Sequence, residues 1–415
     1  MAPVDMRRRL FLKGGAIAAA SFGVGPRFLL RAAAAATPAR DRVLVAIFQR
    51  GAVDALNMVV PHGEAAYYAA RATIAVPRPG ADSGVIDLYG FFGLHPAMAA
   101  LAPAFAQGEL AIVEACGSPD PSRSHFDAQD YMETAEPGNK SATDGWLNRH
   151  LQTTPESAAS SVRAVALASQ MPRALSGPAP ALATTTLGEV ALGPPGQGAL
   201  ARSAVEGMYA TRDDLLGSAT REALASLDVF GGLDGGAGPA NGAVYPDSDL
   251  GAQLRDLARV IKGKVGLEVA FLNVGGWDTH VLEGGSEGQL ARLLGDLAGA
   301  LAAFRTDLGP EMERVCVLTM SEFGRTVAEN GSGGTDHGHG TAMLLLGGPV
   351  AGGRVYGRWP GLAADQLFEG RDLMVTTDFR TLFAELLVHH LGNPDVAGVF
   401  PGFAYDDAQR LGVIA

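Results

Sequence analysis

At 415 residues with 47% apolar content, the chain is long enough for one large α/β domain or two smaller ones and rich enough in apolar residues for a buried core. Its formal net charge is −12 with only 18% charged residues, a sign that repels phosphate backbones and anionic membranes and excludes nucleic acid as an expected partner. The 55 glycines predict many loops.

The first 36 residues read as a separate object. Arg8-Arg9-Leu10-Phe11-Leu12-Lys13 fits a twin-arginine export signal, a weakly apolar run follows from Gly14 to Val24, and the Ala-rich stretch Ala32–Ala36 offers a cleavage point. The apolar run is too short to span a bilayer, so no integral membrane segment is expected once the signal is removed. Residues 37–415 keep 26 basic and 43 acidic side chains, a net of −17. Passage through the twin-arginine translocase and a periplasmic or secreted destination follow as expectations.

Continuous apolar runs predict strands covered on both faces. In chain order they are Arg42–Phe48, Glu109–Ala115, Val162–Ala168, Leu267–Val274, Arg314–Met320 and Thr341–Leu346. Between them the spacing of Leu290, Leu293, Leu294, Leu297, Leu301 and Phe304 predicts a helix over 287–306, with Ser286 and Gln289 as a capping box. A second helix is expected over 379–391, started by Asp378 and stopped by Gly392. Alternating strands and helices predict an α/β domain with a mostly parallel sheet and helices on both faces, spanning 37–415. The poorly patterned stretch 154–246, with its Gly-rich tract at 230–244, reads as an insertion or cap. Cys116 and Cys316 read as two buried thiols rather than a disulfide.

In an open α/β sheet, function gathers beyond the carboxyl ends of strands. Asp54 follows the first strand, Ser122, Arg123, Ser124 and His125 the second, Asp278 and His280 the run ending at Val274, and Glu322 the run ending at Met320. His337 and His339 stand just before the last strand, in Gly334-Thr335-Asp336-His337-Gly338-His339-Gly340. In extended backbone, positions i and i+2 share a side, so His337 and His339 should converge, as should Asp278 and His280. Carboxylate with imidazole suits Zn²⁺, Mn²⁺ or Fe²⁺. The expected metal ligands are Asp54, Asp278, His280, Glu322, His337 and His339. Each also has a plain alternative: a helix cap for Asp54 and Ser124, a surface pair with Arg325 for Glu322, a core histidine for His280.

Arg50-Gly51-Ala52-Val53-Asp54-Ala55-Leu56-Asn57, Arg123-Ser124-His125-Phe126-Asp127-Ala128-Gln129, Gly276-Trp277-Asp278-Thr279-His280, Ser321-Glu322-Phe323-Gly324-Arg325-Thr326 and the Gly334–Gly340 stretch resemble the signatures of a twin-arginine-exported bacterial family, DUF1501. That family in turn resembles the alkaline phosphatase and sulfatase superfamily. The resemblance implies an alkaline-phosphatase-like fold, a divalent metal and hydrolysis of phosphate or sulfate esters, with a small anionic molecule or a polysaccharide ester as substrate. It makes Asp54 the first-strand ligand, Ser124 or Ser122 the nucleophile, Arg123 the anion holder and His125 the acid/base or orienting group. Phe323 stands where a ligand histidine is expected, and Pro119 where the sulfatase motif has its nucleophile. A non-catalytic envelope binding protein keeping the fold, or a mutase or transferase of the same superfamily, therefore stays open beside the hydrolase.

Overall fold

The computed structural model describes residues 41–154, 162–185, 198–210 and 238–415, with isolated positions between 211 and 237. The export signal and most of the Gly-rich tract lie outside the described residues. Among those described, no helix is long and apolar enough to cross a membrane.

The expected apolar runs form the strands Val43–Gln49 (β1), Leu110–Gly117 (β5), Ala164–Leu167 (β6), Val269–Val274 (β8), Val315–Met320 (β9) and Thr341–Gly347 (β10). Leu182–Thr184 (β7), Arg354–Tyr356 (β11) and Thr377–Asp378 (β12) complete a nine-stranded sheet in the order β11-β5-β10-β9-β1-β8-β6-β7, with β12 also on β5. Val59–Val60 (β2), Ile86–Asp87 (β3) and Gly93–Leu94 (β4) form a small antiparallel sheet apart from it. The central sheet is mixed and largely parallel, an α/β arrangement. β10 alone runs against both its neighbours, β9 and β5. The range read as a cap is in its first part no cap: β6 and β7 extend the sheet beyond β8.

β1 shows why the runs are apolar throughout. Val43, Val45 and Ile47 face one core layer, with the helices Asp249–Lys262 and Gln289–Leu308. Leu44, Ala46 and Phe48 face the other, with the helices His125–Thr134 (α1), Trp146–Thr153 (α2) and Phe379–Glu385. Each strand side chain is removed from water on one face or the other, at about 25 cal/mol per Å² of apolar surface. Asp378 caps its helix as expected, accepting from the Arg380 amide. The capping box does not form: Gly288 caps Gln289–Leu308, while the Ser286 hydroxyl donates to the Ser83 carbonyl. Cys116 and Cys316 are buried free thiols.

Candidate metal centre

β1, β5, β8 and β9 run parallel, so the segments following them leave at one edge. β10 runs the other way, and its start lies at that same edge. The loop before it therefore reaches the site directly, without folding back. Two glycines bring the loops together. A Cβ on Gly51, which has φ +117°, would stand 2.6 Å from the Asp278 amide nitrogen. A Cβ on Gly338 would stand 2.3 Å from the Arg325 carbonyl group. There Arg325 and His337 form an antiparallel bridge.

At this edge three imidazoles and one carboxylate converge. His337 Nε2 lies 3.0 Å from His125 Nε2 and 3.0 Å from His280 Nε2. Asp278 Oδ1 lies 3.1 Å from His280 Nε2, 3.3 Å from His337 Nε2 and 3.6 Å from His125 Nε2. His125, Asp278 and His337 make the compact group able to share one ion, with His280 adjoining it.

The opposite nitrogens are committed elsewhere. His337 Nδ1 meets the Arg123 carbonyl at 2.9 Å, and a carbonyl only accepts, so Nδ1 carries the proton. His125 Nδ1 meets Glu322 Oε1 at 2.8 Å, and His280 Nδ1 meets Asp336 Oδ1 at 3.0 Å. In the neutral rings, each Nε2 then presents a lone pair to the shared point. Three lone pairs and a carboxylate oxygen repel one another unless a shared proton or a metal ion stands between them. Donors about 2.1 Å from a metal are about 3.0 Å apart at right angles and about 3.4 Å apart in a tetrahedron, which matches the spacings seen here. An imidazole with its far nitrogen bonded to oxygen is the usual state of a metal ligand. The side chains present therefore fit a divalent ion.

The charges agree. Burial pushes the Asp278 carboxyl up, but Arg325, whose Nη2 donates to Oδ1 at 2.8 Å, and the imidazoles more than offset this and hold it below the usual carboxylate range. Burial lowers the His337 imidazole, which favours its neutral form. The hydrogen bond to Glu322 raises His125, against the effect of burial.

Three expected ligands are not brought into the group. Asp54 is fully buried, with its two oxygens on the guanidinium of Arg71. Burial raises its carboxyl, and the charge and hydrogen bonds of Arg71, with a hydrogen bond from Glu283, together more than reverse that. Glu322 stands behind His125. Its Oε1 accepts from the Gly51 amide, Gln129 Nε2 and His125, and its Oε2 from the Ser321 hydroxyl at 3.1 Å. It orients the His125 ring and lies outside the group able to share an ion. His339 does not converge with His337. Its ring stacks on Phe368, with centroids 4.3 Å apart.

The expected catalytic group is also rearranged. Arg123 is held by Asp372 and Glu369, so its guanidinium is already neutralised, and it serves the site through its carbonyl. Ser124 caps α1, and the Ser122 hydroxyl accepts from the Ser124 amide. His125 belongs to the ligand group. Phe323 is no vacancy: it stacks on His125 with centroids 5.0 Å apart and stands 5.1 Å from His337.

Sequence reasoning missed Asp336 as the partner of His280. It also missed Gln129 and Arg71. The one available signal was that Asp336 directly precedes His337.

A family model described as "Protein of unknown function (DUF1501)" matches residues 41–394. No curated protein and no solved structure matches the chain.

Proposed function

The chain belongs to the DUF1501 family, and for it we propose a metal-dependent hydrolase of phosphate or sulfate esters, acting outside the cytoplasm. The observation that carries this reading is the convergence of His125 Nε2, His337 Nε2 and Asp278 Oδ1, each imidazole being held from behind by an oxygen. His125, His337 and Asp278 would hold the ion, and the nitrogen-rich donor set suits Zn²⁺, Mn²⁺ or Fe²⁺. When bound, such an ion polarises an ester oxygen and lowers the pKa of a water or hydroxyl. Glu322, the Arg123 carbonyl and Asp336 keep the rings aimed. Arg325, buried and paired with Asp278, keeps that carboxylate charged.

His280 Nε2 adjoins the compact trio and takes the acid/base role first assigned to His125, with Asp336 fixing its other nitrogen. Ser122 and Ser124 are engaged in the turn that starts α1, so water suits this arrangement better than serine as the nucleophile. The alkaline phosphatase and sulfatase resemblance supports the fold type and reaction class by analogy alone. Arg8 and Arg9 support export through the twin-arginine translocase.

The test is the metal content of protein purified after export, followed by hydrolysis of aryl phosphates and sulfates. Wild type should carry metal and turn over, and Asp278→Ala should lose both. Wild type without metal would overturn the reading. A second reading is a non-catalytic envelope protein that keeps one structural ion. The pinning of Arg123 by Asp372 and Glu369 favours it, because that guanidinium is not free for an anion. Bound metal without turnover would select it. Product analysis would reveal a mutase or transferase.

A further inference from the structure

Asp54 lies outside the ligand group, but it belongs to a chain of buried polar groups that leads back to two of the site's loops. Glu283 is the middle of that chain. It is fully buried, and its Oε2 accepts from two hydroxyls, Thr279 Oγ1 at 3.0 Å and Thr335 Oγ1 at 2.7 Å. Thr279 stands between Asp278 and His280, and Thr335 directly precedes Asp336 and His337. The same two loops meet through the main chain, where the Thr335 amide donates to the Thr279 carbonyl at 3.1 Å. A Cβ on Gly334 would stand 2.5 Å from the carbonyl oxygens of Thr279 and His280, so the loops touch backbone to backbone. Glu283 is itself anchored. Its amide donates to the Gly333 carbonyl, and its carbonyl accepts from the Leu290 amide in the first turn of Gln289–Leu308.

Its other carboxyl oxygen poses a problem of charge. Oε1 is buried, and among the described residues no N–H or O–H reaches it. The group beside Glu283 is the Asp54 carboxyl, within hydrogen-bonding reach. Two carboxylates bond to one another only through a proton. Both oxygens of Asp54 accept from the Arg71 guanidinium, at 2.5 and 2.9 Å, which keeps Asp54 charged and leaves the proton to Glu283. Burial and the Asp54 charge push the Glu283 carboxyl well above its ordinary value, in agreement with the geometry. With the proton in place, Arg71, Asp54 and Glu283 sum to no net charge in a site without water to screen them.

We propose that Glu283 is a positioning residue of the metal centre: as a neutral acid it donates its proton to Asp54, accepts from Thr279 and Thr335, and so fixes the loop of Asp278 against the loop of His337. The inference rests on the metal reading of the cluster and deepens it. Ligands supplied by two loops keep their spacing only if the loops keep theirs, and Glu283 bonds to both loops with one oxygen. Asp54 and Arg71 then serve the site at one remove, by holding that acid in place.

Glutamine reproduces the neutral acid, with an N–H for Asp54 and a carbonyl for the two hydroxyls, whereas methionine keeps the length and loses both. Co²⁺ alone is the probe, and its affinity and ligand-field absorption are read without turnover. Glu283→Gln should bind Co²⁺ within about twofold of wild type, with the same bands. Glu283→Met and Thr335→Val should each weaken binding by about tenfold or more and shift the bands, with one ion still bound at saturation. Thr335→Val removes one hydroxyl and keeps the side-chain shape, so the loop test does not depend on the methionine variant folding. Near neutral pH and without metal, the infrared carbonyl band of protonated carboxyls should lose intensity in Glu283→Gln. Glu114, which burial also pushes up, should keep its share of that band. An undiminished band, or a glutamine variant as impaired as the methionine one, overturns the proposal by removing the proton from Glu283. Co²⁺ binding that neither Glu283→Met nor Thr335→Val alters overturns the positioning role while the metal centre stands. Wild type that takes up no Co²⁺ overturns the metal reading, and the positioning role with it.

Discussion

The Nδ1 of His337 lies 2.9 Å from the carbonyl oxygen of Arg123, a residue 214 positions earlier. That contact settles the ring's proton on Nδ1 and frees Nε2 to bind a cation. It also gives Arg123 its part in the site, through the main chain and not through its guanidinium.

Metal removal should cost stability. An ion that binds only the folded chain stabilises it by mass action, about 3 kcal/mol at a hundredfold excess over its dissociation constant. Chelator should therefore lower the melting temperature of wild type and leave that of Asp278→Ala unchanged. An equal response in the two proteins would place the ion elsewhere.

Glu322 holds His125 from behind, so Glu322→Gln should weaken metal binding by about 10- to 100-fold while keeping the same stoichiometry at saturation. Loss of stoichiometry in a folded variant would make Glu322 a ligand after all.

Asp54 is paired with Arg71 in full burial. Asp54→Asn should leave the buried Arg71 guanidinium with Glu283 as the remaining carboxyl beside it and destabilise the fold by up to about 3–5 kcal/mol. The metal content of the folded fraction should not change. Denaturant unfolding with metal analysis reads both, and metal loss at unchanged stability contradicts this assignment.

His390 donates from Nε2 to the Val43 carbonyl, and its Nδ1 has no partner. Burial pushes its pKa down to about 4, against about 6.5 in the unfolded chain. The unfolded state thus binds a proton that the folded state refuses. Stability is full above the unfolded value and falls as pH drops toward the folded one, by about 1.4 kcal/mol per pH unit. His390→Gln, which keeps a donor for Val43, should lower the observed slope by that amount between about pH 4.5 and 6 in urea titrations, with buried His150 still adding its own. An unaltered slope refutes the assignment.

Leu282→Asn should raise stability by about 1 kcal/mol by relieving the left-handed strain. A drop in melting temperature would show that the left-handed backbone at Leu282 carries no such strain.

Much of the architecture was legible in the chain. β1, β5, β8, β9 and β10 each lie within a residue or two of an apolar run, because a strand covered on both faces has to be apolar at every position. The direction of β10 was not legible, since an apolar run has no polarity of its own. Asp278, His280 and His337 were legible from imidazole and carboxylate set among glycines beyond strand ends.

What the residues by themselves determined is which segments form the sheet and which loops carry charge and imidazole to its edge, because burial and backbone freedom are written locally. Only the tertiary structure decided where each of those side chains points. Asp54 met Arg71, Arg123 met Asp372, and His339 met Phe368, while His125 was brought against Asp278 and His337 in the group able to share one ion. The partner that claims a carboxylate or a ring often lies far away in sequence, 249 positions for Arg123 and Asp372, and no local pattern records it.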